Sequence, residues 1–212
     1  MDQQERYSGI IGWFLENRPV AETELHYTDP YQLMVAVILS GQCTDKRVNL
    51  ITPGFFLKYA TIQALADARQ EEVLELVKTC SYPNNKSRHL IAAAVKVCNE
   101  FGGMVPDNLE DLETIPGIGR KTANVILSVA FGKPALAVDT HVHRVSARLG
   151  LTDGARTPLE TERQLVRHIP EELHSIAHHW LILHGRYVCQ ARKPKCGECG
   201  LRTWCRYYRD QP

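Results

Sequence analysis

The chain has 212 residues, of which 44% are hydrophobic and 23% charged, a composition that excludes disordered and fibrous classes and allows one large domain or two small ones. A formal net charge of +1 does not by itself name a polyanionic partner. The opening MDQQERY lacks the basic cap and apolar stretch of a secretory leader, and no run approaches the roughly 18 apolar residues of a membrane span. A cytoplasmic protein with no membrane partner is therefore expected.

Helical signals recur along the chain. The segment LMVAVIL, Leu33 to Leu39, is apolar and β-branched enough for a buried strand, but no second strand candidate exists to pair with it, so it is read as a buried helix. Leu90, Ala94, Val97 and Phe101 share one helical face and run into Gly102-Gly103, where a C-cap belongs. In DNLEDLETI, Asp107 with Glu110 three residues on has the form of a capping box.

The next stretch, IPGIGRKTANV from Ile115 to Val125, sets a Pro and two Gly in a turn and then opens a helix. Gly117 and Gly119 allow positive φ and close approach of another group. The helix behind them offers N–H groups and the positive end of its dipole, an anion site suited to a phosphodiester, although a plain helix-helix connection has the same spacing. Arg120 and Lys121 follow at once. A lysine in a first turn opposes the macrodipole, and the same surroundings would lower its pKa towards a nucleophilic amine; the alternatives are a surface lysine or a phosphate contact.

In ALAVDTHVHRV, Asp139 ends an apolar run and Thr140 stands where it can cap the next helix. Asp139 itself reads either as a base or charge stabiliser or as an N-cap. Thr157-Pro158 with Glu160 opens another helix, and Leu173, Ala177, Trp180, Leu181 and His184 mark a face of the one that follows. His174 and His178 stand four apart in it but have no acidic partner motif nearby, and read as structural or surface residues.

Charge and cysteine concentrate at the end of the chain. From Arg186 to Arg209 seven basic residues face one acid, Glu198, a local charge of +6. Four of the seven cysteines, Cys189, Cys196, Cys199 and Cys205, fall within 17 residues as C-x6-C-x2-C-x5-C. In a reducing compartment such density points to metal, and spacing leaves zinc and iron–sulfur both open. Cys43, Cys80 and Cys98 are scattered and read as small buried hydrophobes.

Taken together, LETIPGIGRKTANVILSVAFGKPALAVDTHVHRV, HHWLILHGRYVCQARKPKCGECGLRTWC and LMVAVILSGQCTD resemble the endonuclease III family of helix-hairpin-helix DNA glycosylases over nearly the whole chain. The resemblance implies an all-α, two-domain fold with a DNA cleft between a six-helix domain, residues 21–133, and a discontinuous cluster domain, residues 1–20 with 134–212. It implies a monomer that acts on double-stranded DNA carrying damaged bases or abasic sites, excises oxidised pyrimidines and cleaves the strand by β-elimination. Lys121 would attack C1′ and form a Schiff base, with Asp139 assisting from the opposite side of the cleft. Cys189, Cys196, Cys199 and Cys205 would hold a 4Fe–4S cluster. DNA contacts would come from Gly117, Gly119 and Arg120 of the hairpin and from Arg192, Lys193 and Lys195 of the loop QARKPK.

Gln42 matches the residue that fills the gap left by the flipped nucleotide. The family's second wedge lies in a Gly-aliphatic-Tyr-Asn-x-Lys loop, and this chain departs from it with CSYPNNKS, placing Tyr82 at the aliphatic position and Pro83 at the tyrosine position. Two other readings are a monofunctional adenine-type glycosylase and a non-catalytic DNA-binding module. The first lacks the lysine and carries a further C-terminal domain, whereas this chain has Lys121 and ends seven residues after Cys205. The second needs neither Lys121 nor Asp139.

Overall fold

The computed structural model describes residues 1–210, and these contain helices and no strand. Two compact units emerge: one continuous, Glu24–Lys133, and one that joins Met1–Thr23 to the chain from Pro134 onward. Among the described residues no helix is long and apolar enough to cross a membrane.

The first helix, α1 (Gln3–Asn17), belongs to the discontinuous unit. The continuous unit then runs α2 (Pro30–Ser40), α3 (Asp45–Lys58), α4 (Ile62–Ala66), α5 (Gln70–Val77), α6 (Pro83–Phe101), α7 (Leu109–Thr114) and α8 (Arg120–Phe131). Asp29 starts α2 by accepting the Gln32 N–H at 2.8 Å, and Pro30 fits the first turn because it has no N–H to satisfy. All of Leu33 to Leu39 is buried, as a helix apolar on every side demands. It packs against α3, α6 and α8. Leu90, Ala94 and Val97 of α6 are buried, and Gly102 ends that helix at φ 62° while the Gly103 N–H reaches the Val97 carbonyl at 3.0 Å.

One expected cap falls elsewhere. Asn108, not Asp107, caps α7, accepting the Asp111 N–H at 2.9 Å. Asp107 instead pairs with Lys133 at 2.8 Å, just beyond the end of α8, and that ion pair lowers its carboxyl below the ordinary value. A partner 26 residues away took the carboxylate that the local pattern assigned to the helix end.

The discontinuous unit continues with α9 (Thr140–Leu149), α10 (Pro158–His168), α11 (His174–Tyr187) and the short α12 (Arg206–Arg209). Thr157 caps α10 through the Glu160 N–H, as its sequence signature indicates. Phe14 of α1 stacks on Trp180 of α11 at 5.3 Å, Trp180 Nε1 donates to the Arg18 carbonyl at 2.7 Å, and the Tyr7 hydroxyl donates to the Leu151 carbonyl at 2.6 Å. Two glycines let α1 lie on the cysteine segment: a Cβ on Gly9 would stand 2.0 Å from the Trp204 indole, and one on Gly200 would stand 2.4 Å from Trp13. Reciprocal Gly–Trp contact ties the first helix to the cysteine segment.

Candidate functional site

The hairpin lies between α7 and α8. Its turn closes with the Ile118 N–H on the Ile115 carbonyl at 3.0 Å, around Pro116 and Gly117. Gly117 has φ 84°, the value a type II turn needs at its second central residue. A side chain there is blocked twice, because a Cβ would also meet the His89 Cβ at 2.9 Å. Buried Ile115, Ile118 and Ala123 anchor the turn from below, while Gly117 and Gly119 face solvent. Gly119 starts α8 in extended backbone and sets no side chain over the helix end. Arg120 lies 3.9 Å from Glu113, and Lys121 follows, half-buried in the first turn of α8.

Asp139 stands in the other unit. It follows the buried run Leu136, Ala137, Val138 and is itself half-buried. Of the two caps the sequence offers for α9, Thr140 is the first helical residue and Asp139 does the capping, its Oδ1 accepting the Val142 N–H at 2.8 Å. The cap explains why the carboxylate is held still. Residues 134–137 are pinned in turn by α11, since His178 Nδ1 meets the Ala137 carbonyl at 2.8 Å, and the same helix holds His174, whose Nε2 lies 3.0 Å from the Ile169 carbonyl. A carbonyl only accepts, so the proton of that His178 bond sits on Nδ1. These histidines are buried, which corrects the surface alternative and favours the structural one.

Gln42 and Tyr82 are both exposed and both lie in the left-handed region, each with φ 54°. Ser81 Oγ donates to the Gln42 carbonyl, so the structure joins the two loops that sequence reading treated separately. Ser81 and Lys86 fall at the glycine and lysine positions of the family's loop pattern, but their contacts with the Gln42 and Leu39 carbonyls, 39 and 47 residues away, are not written in it.

The four clustered cysteines line one pocket, together with Leu149, His184, Val188 and Tyr207. Among the described residues no three His, Cys, Asp or Glu are gathered closely enough for a single metal ion. The four thiols share this lining, and iron–sulfur clusters and zinc both accept such a set of four cysteines. Their neighbours suit thiolates: Arg148 Nη1 lies 3.5 Å from Cys189 Sγ and His184 Nε2 lies 3.6 Å from Cys199 Sγ. Burial pushes the Cys199 and Cys205 thiols above their ordinary value, so holding them as thiolates calls for strong cationic ligation.

Arg148 also shapes the basic loop, donating to the carbonyls of Gln190 at 2.7 Å and Ala191 at 2.8 Å. Arg192, Lys193 and Lys195 on that loop are exposed. Of the other cysteines, Cys80 is buried as expected, whereas Cys43 and Cys98 are only partly covered.

Residues 35–171 match the HhH-GPD superfamily of base excision DNA repair proteins, and residues 189–205, from the first clustered cysteine to the last, match the iron–sulfur binding domain of endonuclease III. The Endonuclease III of Synechocystis sp. is 48% identical over 205 residues, covering 96% of this chain and 93% of the relative.

The chain belongs to the endonuclease III family.

The Escherichia coli Endonuclease III is 41% identical over 198 residues, 93% of each chain. The structure of a trapped Endonuclease III–DNA covalent intermediate superposes with a TM-score of 0.94 at 39% identity, covering 99% of this chain and 98% of the other. A thermostable thymine-DNA glycosylase shares the fold, with a TM-score of 0.87 at 24% identity. This endonuclease III family member is thus a DNA-binding base excision repair enzyme, a DNA glycosylase and abasic-site lyase whose cofactor is a 4Fe–4S cluster. The adenine-type and non-catalytic readings fall away.

Proposed function

We propose that Lys121 is the nucleophile, that Asp139 assists it, and that the substrates are oxidised pyrimidines in duplex DNA. The reading rests chiefly on the lysine held half-buried in the first turn of α8, directly behind a glycine hairpin. A neutral Lys121 amine attacks C1′ as the bond from C1′ to the base breaks; the departing base takes up a proton. The C1′–O4′ bond then opens, O4′ taking up the proton that the attacking amine gives up, and the resulting iminium acidifies C2′; a proton leaves that carbon and the C3′–O bond breaks with the 3′ phosphate as leaving group, cutting the strand 3′ to the lesion. Because C1′ and the base edge are reached together only outside the stack, the nucleotide must be extruded. Asp139 uses Oδ1 for the α9 cap, which leaves Oδ2 to stabilise the cationic sugar.

The hairpin N–H groups and the loop bearing Arg192, Lys193 and Lys195 grip phosphates. Gln42 fills the vacated space and Tyr82 stacks in the opposite strand. Cys189, Cys196, Cys199 and Cys205 would hold the cluster, whose iron would stabilise them as thiolates at the base of the basic loop. One chain carries every one of these residues, in keeping with a monomer working on DNA in the cytoplasm.

Duplexes with one oxidised pyrimidine, one abasic site or one oxidised purine test the reading. Wild type should release the pyrimidine and nick both of the first two, Lys121→Gln should nick neither, and Tyr82→Ala should bind lesion duplex more weakly. Preferred excision of the purine would overturn the substrate assignment, and unchanged binding and turnover by Tyr82→Ala would remove the wedge.

A further inference from the structure

The CSYPNNKS loop carries a serine, Ser81, where the family pattern has glycine. Glycine offers no hydroxyl, and here the hydroxyl is used. Ser81 Oγ donates to the Gln42 carbonyl and accepts from Lys86 Nζ at 3.4 Å. The Lys86 ammonium also donates to the Leu39 carbonyl at 2.7 Å. One hydroxyl donating once and accepting once is a consistent relay.

The relay has a foundation in the helix that precedes it. The last carbonyls of α2 have no partner within the helix, and a cation is favoured at that end of the dipole. Ser40 Oγ takes the Val37 carbonyl at 2.9 Å, the Cys43 N–H takes that of Ser40 at 3.0 Å, and Lys86 takes that of Leu39. Lys86 is buried, and burial lowers its pKa below the ordinary value. A buried lysine is uncommon unless paired, so its place beneath the α2 terminus calls for the contacts it makes.

What the relay holds is backbone of an unusual kind. Gln42 and Tyr82 are the non-glycine residues with positive φ among the described residues, and both are exposed. For residues other than glycine the left-handed region costs about 1–2 kcal/mol each and persists only where the surroundings enforce it. The carbonyl that Ser81 binds belongs to the first of these residues, and Ser81 directly precedes the second.

We propose that Ser81 and Lys86 are positioning residues that lock Gln42 and Tyr82 together before DNA arrives, so that both side chains enter the duplex already set. The inference rests on the reading above that these two side chains occupy the stack. Ordering them in advance lowers the entropy cost of insertion. Ser81 therefore makes this chain better at holding an opened duplex than a glycine at that position would.

The test uses the full-length, cluster-loaded protein and a duplex in which 2-aminopurine faces a tetrahydrofuran abasic analogue. Side chains entering the stack unstack the fluorophore and raise its emission. Ser81→Ala should reduce that rise and weaken binding about tenfold, or ~1.4 kcal/mol. On an abasic substrate the loss should fall on KM rather than kcat, and Ser81→Thr, which keeps the hydroxyl, should restore it. In a Gln42→Ala background Ser81→Ala should add little, because coupled residues are not additive.

Normal signal and affinity in Ser81→Ala, with Gln42→Ala impaired, would overturn the relay and leave the wedge reading intact. Normal signals in both Gln42→Ala and Tyr82→Ala would overturn the wedge reading itself. Equal effects of Ser81→Ala with and without Gln42, accompanied by a lower melting temperature, would assign Ser81 a purely structural role and overturn the proposal.

Discussion

Asp139 performs two separable tasks, and a pair of substitutions divides them. Its Oδ1 caps α9 through the Val142 N–H at 2.8 Å, and its charge is the feature assigned to catalysis. Asparagine keeps the acceptor and loses the charge at the helix N-terminus, a cost of about 0.3–1 kcal/mol. Alanine loses both, and a lost cap adds about 1 kcal/mol. For a chain of this length 1 kcal/mol moves the melting temperature by roughly 2–4 °C, so Asp139→Ala should melt that far below Asp139→Asn. Excision should respond differently, with both variants falling by about 10²–10³-fold, the loss typical of one preorganised electrostatic group. Calorimetry gives the first comparison and single-turnover excision from an oxidised-pyrimidine duplex the second. Wild-type excision by Asp139→Asn would show that the carboxylate is only a cap. Equal melting of Asn and Ala variants would show that the Oδ1 contact does not hold α9.

Three further outcomes follow from the geometry. Gly117→Ala forces a side chain into φ 84° and against His89, costing about 1–2 kcal/mol for the backbone alone, whereas Gly119→Ala, with extended backbone and open space, should melt near wild type; chemical denaturation compares them. Replacing Arg192, Lys193 and Lys195 by Gln should reduce the slope of log affinity against log salt by about 2.7, since each phosphate contact contributes roughly 0.9; anisotropy titrations across salt concentrations read it. Burial raises the Tyr7 and Tyr31 pKa values above their ordinary 10.0, so the folded state binds these protons more tightly and stability should fall as pH rises above 10. Tyr7→Phe should flatten part of that alkaline decline in denaturation midpoints measured against pH.

What the sequence made legible depends on how far each residue's partner lies along the chain. The burial of Leu33 to Leu39, the glycine end of α6 and the Thr157 cap are local properties, and they read correctly. Asp107 is not the cap its local pattern suggests, because Lys133, 26 residues on, draws its carboxylate away, and of the two neighbouring candidates for the start of α9 it is Asp139, not Thr140, that caps it. The cysteines announced a metal site through density, yet the arginine that orders their loop, Arg148, makes contacts 41 to 43 residues away and carries no motif. The same holds for His178 beneath residues 134–137 and for Ser81 against Gln42. A chemical signature is written locally, while the groups that aim it are brought in by the fold.

The central claim is that Lys121 forms a Schiff base with the sugar, and borohydride trapping tests it most directly. Wild-type protein incubated with abasic duplex and reductant should give a covalent adduct, peptide mass mapping should place it on Lys121, and Lys121→Gln should give none. An adduct on another residue, or no adduct from wild type, would contradict the account.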